Sequence, residues 1–194
     1  GVEHDKNGNR AKAYLYCLEA ICPETGWAVP LSPSWIISKM RKIVAKLVPD
    51  YERQRFDIEV VSSASKAEMA EAEKGTVQNG AMVYALDGKT YQTSIKTLRG
   101  DYKDPNGDSC SGLRRWEISD IAPRSGDIFQ ERLYAIQWIS KKSLNKGRYE
   151  TFFASVSDDD LMREKKVNED VQKNLEVWQK KGLVPDMPIS PGHN

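Results

Sequence analysis

The chain has 194 residues, of which 29% are charged, and its formal net charge is only +1. This length allows one or two small domains with a buried core, and the near-zero net charge excludes a globally polybasic nucleic-acid binder. Because no apolar run approaches the roughly 18 residues that cross a bilayer, we expect no membrane partner.

The first part of the chain alternates apolar and polar side chains, a pattern typical of short strands. Residues 1–10 are polar, and we expect them to form a disordered leader. The alternation then predicts four strands, at 11–21, 27–31, 35–48 and 56–60. Between the first two, the segment 22–26 holds the proline and glycine of a tight turn. Residues 63–74 are rich in Ala, Glu and Lys and precede Gly75, which predicts a short helix.

The middle of the chain is richer in turn signals. Asn79-Gly80 and Asp87-Gly88 separate three short runs that predict a small meander. Residues 101–112 predict a long loop. Residues 132–140 are apolar on both faces, which predicts a central strand, and residues 148–155 are expected to be its return strand.

The C-terminal part carries the strongest helical signal. Ser157 can cap a helix over 158–181, and the acidic run 158–160 suits the positive end of its dipole. One apolar stripe at helical spacing is formed by Leu161, Val167, Val171, Leu175 and Trp178. We therefore expect this helix to pack on the sheet, with Trp178 against Trp138. Residues 184–194 are expected to be an extended proline-rich tail.

Together these elements predict an α+β fold of short antiparallel strands with a long C-terminal helix. We expect one domain over 11–183, with 11–62 and 76–183 as possible sub-units. Trp27 and Trp35 flank a proline-rich break, and the pattern leaves open whether they belong to the core or to a recognition surface.

A series of short strings follows in order from Tyr14 to the end of the chain. They are Tyr14-Leu15-Tyr16, Cys22-Pro23, Gly26-Trp27, Val29-Pro30-Leu31, Ser34-Trp35, Ser38-Lys39, Phe56-Asp57-Ile58-Glu59-Val60, Gly75-Thr76-Val77, Asp127-Ile128-Phe129-Gln130-Glu131-Arg132-Leu133-Tyr134, Gly182-Leu183-Val184-Pro185-Asp186 and Pro191-Gly192-His193-Asn194. Taken in order, they resemble the inserted region of certain large bacterial adenine-specific DNA methylases. That family has a zinc-ribbon region and an N-terminal domain of unknown function, and some members lie in phage-defence islands.

In that family two Cys-Pro-x-Cys-Gly turns would hold a structural zinc ion with four thiolates. The resemblance places the ligand positions at Cys22 and Thr25 in the first turn, and at Tyr84 and Asp87 in the second. One cysteine of four cannot hold zinc, so we expect no metal.

The cysteines themselves predict no other metal site and no disulfide framework. Cys17, Cys22 and Cys110 contain no Cys-x-x-Cys pair. We expect Cys17 and Cys22 to be small buried side chains in a reduced, cytoplasmic protein.

The chain shows no catalytic motif for methyl transfer. Enzymes that methylate amino groups of DNA bases carry an Asp/Asn-Pro-Pro-aromatic loop at the flipped base. The nearest string, Asp104-Pro105-Asn106-Gly107, lacks the second proline and the aromatic residue, and it is a good turn sequence. A glycine-rich loop for S-adenosylmethionine after the first strand is also absent. We therefore expect no catalytic residue and no cofactor in this chain, with S-adenosylmethionine bound by the parent methylase that the resemblance implies.

DNA contact is the favoured function. Basic side chains with a neighbouring tryptophan can neutralise phosphates and stack on a base. The candidate residues are Lys39, Arg41, Lys42, Lys46, Arg114, Arg115, Trp116, Lys141 and Lys142. The alternative for each cluster is an ordinary solvated surface. At the level of the whole chain, we expect a DNA-recognition or positioning insert. The alternatives are a docking module for other defence proteins and a structural bridge within the methylase.

Overall fold

The computed structural model describes residues 3–186, within which twelve strands and three α-helices form. The strands are β1 (Arg10–Ile21), β2 (Ala28–Leu31), β3 (Ile36–Ser38), β4 (Ile43–Asp50), β5 (Arg55–Val61), β6 (Val77–Gln78), β7 (Ala81–Leu86), β8 (Lys89–Ser94), β9 (Tyr102–Lys103), β10 (Ser109–Cys110), β11 (Phe129–Ile139) and β12 (Thr151–Ser155). The helices are α1 (Lys66–Lys74), α2 (Ile95–Leu98) and α3 (Asp158–Lys180). With about 38% strand, 21% helix and mostly antiparallel pairing, the chain has the predicted α+β fold.

Seven strands form the main sheet, in the order β12-β11-β1-β2-β5-β4-β3. Its pairs are antiparallel except for one parallel bridge, between Ala28 of β2 and Arg55 of β5. The sheet curls so that its outer strand β12 reaches β5, where the Val60 N–H donates to the Ser155 hydroxyl at 2.8 Å. β11 lies between β1 and β12, which confirms the central position predicted from its two apolar faces.

The strands β6, β7 and β8 form the predicted meander as a separate three-stranded sheet. Alternate side chains of β7 point towards the main sheet, so the two sheets share a buried cluster. Its buried members are Ala20, Cys22, Trp27, Val29, Phe56, Met82, Tyr84, Leu86 and Leu98. Trp27 therefore belongs to the core.

A second cluster lies under α1. It includes Trp35, Val44 and Ile58, so Trp35 is also a core residue. The helix begins after Ser65, whose hydroxyl accepts from the Glu68 N–H at 3.2 Å. The Glu68 carboxylate in turn accepts from the Ser65 N–H at 2.8 Å, which completes a capping box.

α3 starts where the sequence predicts, and the same kind of cap explains its acidic first turn. The Asp160 carboxylate accepts from the Ser157 N–H at 2.8 Å and from its hydroxyl at 2.6 Å. Asp160 also pairs with Arg163, which reaches Glu3 at 2.6 Å. The acidic run 158–160 is thus a helix start, as the dipole argument predicted.

The apolar stripe of α3 is buried less than expected. Leu175 is buried, whereas Leu161 is 45% and Val167 is 58% exposed. The expected packing of Trp178 on Trp138 is also wrong, because the buried cluster around Trp138 is built from β-strand residues and does not include Trp178. A stripe read from spacing marks the more apolar side of a helix, but it does not show how much of that side a sheet covers.

Two further predictions concern the ends of the chain, namely the leader at 1–10 and the tail at 184–194. Within the leader predicted to be disordered, Asp5 Oδ1 accepts from the N–H groups of Asn7 and Asn9 at 2.9 and 2.8 Å, and His4 bridges to Arg10. Most of the predicted tail, 187–194, lies outside the described residues.

The clearest departure from the sequence predictions is in the segment 35–48, which was expected to be one strand. It is a hairpin, because β3 ends at Ser38 and β4 begins at Ile43. The connecting Lys39-Met40-Arg41-Lys42 has none of the Gly, Pro, Asn or Asp residues that mark turns. Lys42 supplies the turn with a left-handed backbone, at φ 51°.

Candidate nucleic-acid interface

The tip of the β3–β4 hairpin presents three cations and one apolar side chain to solvent. Lys39, Met40, Arg41 and Lys42 are all exposed. The Lys42 N–H donates to the Lys39 carbonyl oxygen at 3.2 Å, and the Lys42 carbonyl oxygen accepts from the Ala64 N–H at 2.8 Å. The backbone of the tip is therefore fixed at both ends.

A shallow groove of about 350 Å³ lies beside the tip, between the hairpin and α1. Lys39, Lys42 and Lys66 all line it. Glu73 lines it too and accepts from Lys39 at 3.0 Å, but both side chains of this ion pair are mostly exposed. An exposed pair of this kind is weak, so a phosphate can replace the carboxylate.

The sequence predictions missed Lys66, although the structure places it next to two predicted residues. In sequence it is a lone lysine at the start of a helix rich in Glu. Only the docking of α1 on the hairpin brings it to Lys39 and Lys42, so no local signal could have identified it.

Arg41 connects the tip to the first residue of β12. Its guanidinium donates to the Thr151 carbonyl oxygen at 2.8 Å and to the Thr151 hydroxyl at 3.0 Å. Thr151 pairs in register with Ile139, two residues before Lys141. Lys141 and Lys142 lie in a 3₁₀ turn and are exposed. Although β3 and β12 are the two outer strands of the main sheet, Arg41 thus joins the hairpin tip to the strand that follows the Lys141 turn, about a hundred positions away in sequence.

The turn that carries these two lysines is also fixed. Ser143 is fully buried, and its hydroxyl donates to the Ser140 carbonyl oxygen and accepts from the Glu150 N–H, each at 2.9 Å. The Lys141 N–H donates to Asn9 Oδ1 at 2.9 Å. We call the surface formed by Lys39, Arg41, Lys42, Lys66, Lys141 and Lys142 the basic edge.

Lys46, the fourth predicted cation of this segment, lies apart from the basic edge. It is opposite Glu59 in the register of β4 and β5. It also lines a cleft of about 520 Å³ together with Glu68. Hydrogen bonds from Ser65 lower the pKa of Glu68, and the charge of Lys46 contributes a smaller part. Because Lys46 faces carboxylates, it is less suited than Lys39 or Lys42 to hold a phosphate.

The second predicted cluster lies in the segment 113–127, which we call the arginine loop. Arg114 donates to both oxygens of Asp127 at 2.5 and 2.7 Å, and to Asp120 at 2.5 Å. Asp120 also accepts from the Glu117 N–H at 2.7 Å and from Arg124 at 2.8 Å. Hydrogen bonds to Asp127 and Asp120 raise the pKa of Arg114. Hydrogen bonds from the Glu117 N–H and from Arg114 lower the pKa of Asp120 to about 2.

Arg114 therefore organises the loop, and its charge is neutralised within it. The two neighbours predicted with it, Arg115 and Trp116, are exposed. The Arg114 guanidinium lies 5.9 Å from the centre of the Trp116 ring, a cation–π distance. Arg115 and Trp116 stay predicted contact residues, but Arg114 is occupied by carboxylates.

The two turns that the resemblance assigns to lost zinc ligands lie next to each other. The Thr25 and Tyr84 hydroxyls are 2.6 Å apart, and Cys22 is buried in the same cluster as Tyr84. Asp87 instead accepts from the Tyr51 hydroxyl at 2.6 Å. Three of the four assigned positions thus meet, and hydrogen bonds and packing join them.

The pKa values of the two buried cysteines are shifted in opposite directions. Burial raises the pKa of the Cys22 thiol, but hydrogen bonds to its sulfur from Tyr84 and Thr25 outweigh it, so the net pKa is lowered. Burial raises the pKa of Cys17 to about 12. Both cysteines are buried, as predicted.

Comparisons with known proteins do not identify a family or a function for this chain. No family model matches the sequence, and neither the curated proteins nor the solved structures include a match. Across residues 3–186 no group of three or more His, Cys, Asp or Glu side chains could hold a metal ion. Over the same range, none of the helices has the length and apolar character to cross a membrane. Proposals about function therefore depend on the geometry of the chain and on the resemblance.

Proposed function

We propose that this chain is a non-catalytic DNA-recognition or positioning module, and that its basic edge contacts the phosphates of duplex DNA. The observation that supports the proposal most is the meeting of three separate segments at one edge. Arg41 links the hairpin tip to Thr151 of β12, the strand after the Lys141 turn, and α1 adds Lys66 to the groove that Lys39 and Lys42 line.

The charge distribution supports the same proposal. The segments 34–49 and 140–149 hold eight lysines and arginines and no carboxylate, although the whole chain has a net charge of only +1. Cations gathered on one surface neutralise phosphates and release counterions, which is the main sequence-independent part of DNA affinity. A locally basic edge on a nearly neutral chain favours contact with DNA at one place.

The resemblance supplies the larger setting of the proposal. We propose that the parent protein is an adenine-specific DNA methyltransferase that binds S-adenosylmethionine and flips the target base in another domain. In that arrangement the present chain orients the duplex by contacting its backbone, because phosphate contacts fix register and orientation. The proposal includes a cytoplasmic setting, where the three free cysteines stay reduced.

A second candidate function is docking to other proteins, such as partners in phage defence. The exposed apolar residues of α3 favour it. Leu161, Met162 and Val167 are 45%, 63% and 58% exposed, and an exposed apolar group of this kind can mark a protein-binding surface. The two functions are compatible, because α3 and the hairpin tip are different surfaces.

Fluorescence anisotropy with a labelled duplex, repeated over a series of salt concentrations, tests the DNA proposal. With four phosphate contacts we expect a slope of about −3.6 in log affinity against log salt, so affinity falls roughly 100-fold between about 50 and 200 mM. Absence of binding at the lowest salt would refute DNA contact by this chain and leave docking as the better candidate. A slope near zero would show that the contacts are not with phosphates.

A further inference from the structure

Met40 lies in the connection between β3 and β4, at the hairpin tip. It is 92% exposed, more than any other large apolar side chain of the described residues. It lies between Lys39 and Arg41, two side chains that face solvent as well. A single, almost fully exposed apolar side chain thus lies among the cations of the tip.

The backbone that carries Met40 is held in place. The Arg41 N–H donates to the Ser38 hydroxyl at 3.3 Å, and the Arg41 guanidinium is bonded to Thr151. Below the tip, the Ala45 N–H donates to the Trp35 carbonyl oxygen at 2.8 Å. An inserted side chain must resist being pushed back, so a fixed tip suits insertion better than a mobile loop does.

We propose that Met40 is a wedge that enters the minor groove and inserts between two base pairs when the basic edge binds duplex DNA. This inference rests on the proposed function. Proteins that bind in the minor groove often insert an apolar side chain, methionine among them, and the partial unstacking kinks the duplex by 20–90°. Lys39, Arg41 and Lys42 hold the phosphates on either side of the narrow groove while Met40 enters the stack.

An anionic membrane surface is the other partner that a basic tip with an apolar residue could meet. The structure favours DNA, because one methionine offers little apolar area and stable membrane binding needs an apolar face or a lipid chain together with the charges.

Energy transfer between dyes at the two ends of a duplex of about 25 base pairs measures the kink. At saturating protein, we expect the wild-type chain to raise the transfer efficiency. Met40→Ala should bind with an affinity within about tenfold of wild type but leave the DNA straight, and Met40→Leu should retain the kink, since leucine is also a wedge residue. Met162→Ala is the matched control, because it removes an exposed methionine from α3 and should change nothing.

The outcomes separate this inference from the function it rests on. If the wild-type chain binds DNA without a change in energy transfer, or if Met40→Ala still kinks the duplex, the wedge is wrong and DNA contact stands. If the wild-type chain does not bind DNA, both fail. The minor-groove ligand netropsin should compete with the kink, and a kink that persists in its presence overturns the minor-groove assignment. Binding to vesicles of equimolar phosphatidylcholine and phosphatidylserine that depends on Met40, without a DNA kink, assigns the tip to lipid instead.

Discussion

The basic edge and the arginine loop both contain arginine, yet the arginines have different partners. Arg41 donates to a carbonyl oxygen and a hydroxyl of Thr151, which are neutral acceptors. Arg114 donates to Asp120 and Asp127, and the side chain of Asp120 is only 5% exposed. The one carboxylate that pairs with the basic edge, Glu73 on Lys39, is 63% exposed and forms a weak pair, whereas those that hold Arg114 are largely buried. This difference is why we propose the basic edge, and not Arg114, as the surface that contacts DNA.

The largest effect should come from reversing charge on the basic edge. Replacing Lys39, Lys42 and Lys141 by Glu removes three cations and adds three repulsive charges beside the phosphates. We expect the affinity for duplex DNA to fall by about 100-fold or more at low salt, with a salt slope shallower by about 2.7. Anisotropy with two duplexes of unrelated sequence measures both, and the loss should be similar for each.

The matched control reverses Lys165, Lys166 and Lys173, which are exposed on α3. It changes the net charge of the chain by the same amount at a different surface. We expect an affinity within about fivefold of wild type, because these lysines are not among the proposed phosphate contacts and moderate salt screens long-range charge effects. Equal losses from the two triple variants would mean that overall charge, not the basic edge, drives binding.

A smaller effect should follow from Arg114→Ala, which removes the cation that joins Asp120 to Asp127. The amides of Glu117 and Arg124, which donate to those carboxylates, should then exchange with solvent deuterium about tenfold faster or more, as the loop opens locally. Arg114→Lys should rescue this only in part, because an ammonium cannot reproduce the bidentate geometry of the guanidinium.

DNA affinity provides the contrasting measurement for the same variant. If the arginine loop is structural, Arg114→Ala should leave the affinity within about twofold of wild type. A loss as large as that of the triple variant at the basic edge would place Arg114 among the DNA contacts and remove the distinction between the two regions.

The sequence was sufficient for those parts of the fold that short-range patterns encode. Alternation predicted β11 as a central strand, and the capping residue Ser157 with its acidic neighbours predicted the start of α3. It failed at the hairpin tip, because Lys39 to Lys42 form a turn without turn residues, through the left-handed backbone of Lys42. The side chains of α3 show a related limit, since spacing does not reveal which neighbour covers them.

The candidate site could be predicted only in part. Whether a carboxylate neutralises a given cation, and whether distant segments meet at one surface, both depend on the tertiary structure. All six residues of the basic edge except Lys66 were predicted from local charge. The sequence could not predict that Arg114 is paired with carboxylates, since Asp120 and Asp127 are 6 and 13 positions away in an irregular loop. Nor could the link from Arg41 to Thr151, which joins residues 110 positions apart.

The smallest expected effect is a pH dependence of the arginine loop, which follows from the carboxyl groups that pair with Arg114. Asp120 has its pKa lowered from 3.8 to about 2, first by the Glu117 N–H and then by Arg114. A carboxyl group with a lowered pKa stabilises the folded loop above its unfolded value and loses that contribution as pH falls towards the folded value. The arginine loop should therefore be unchanged between pH 7 and 4 and open between about pH 4 and 2. The fluorescence difference between the wild-type chain and Trp116→Phe reports this loop. Asp120→Asn should reduce the transition without abolishing it, because Arg114 also lowers the pKa of Asp127. A change in the Trp116 signal between pH 7 and 5 would therefore mean that a group other than Asp120 controls the loop.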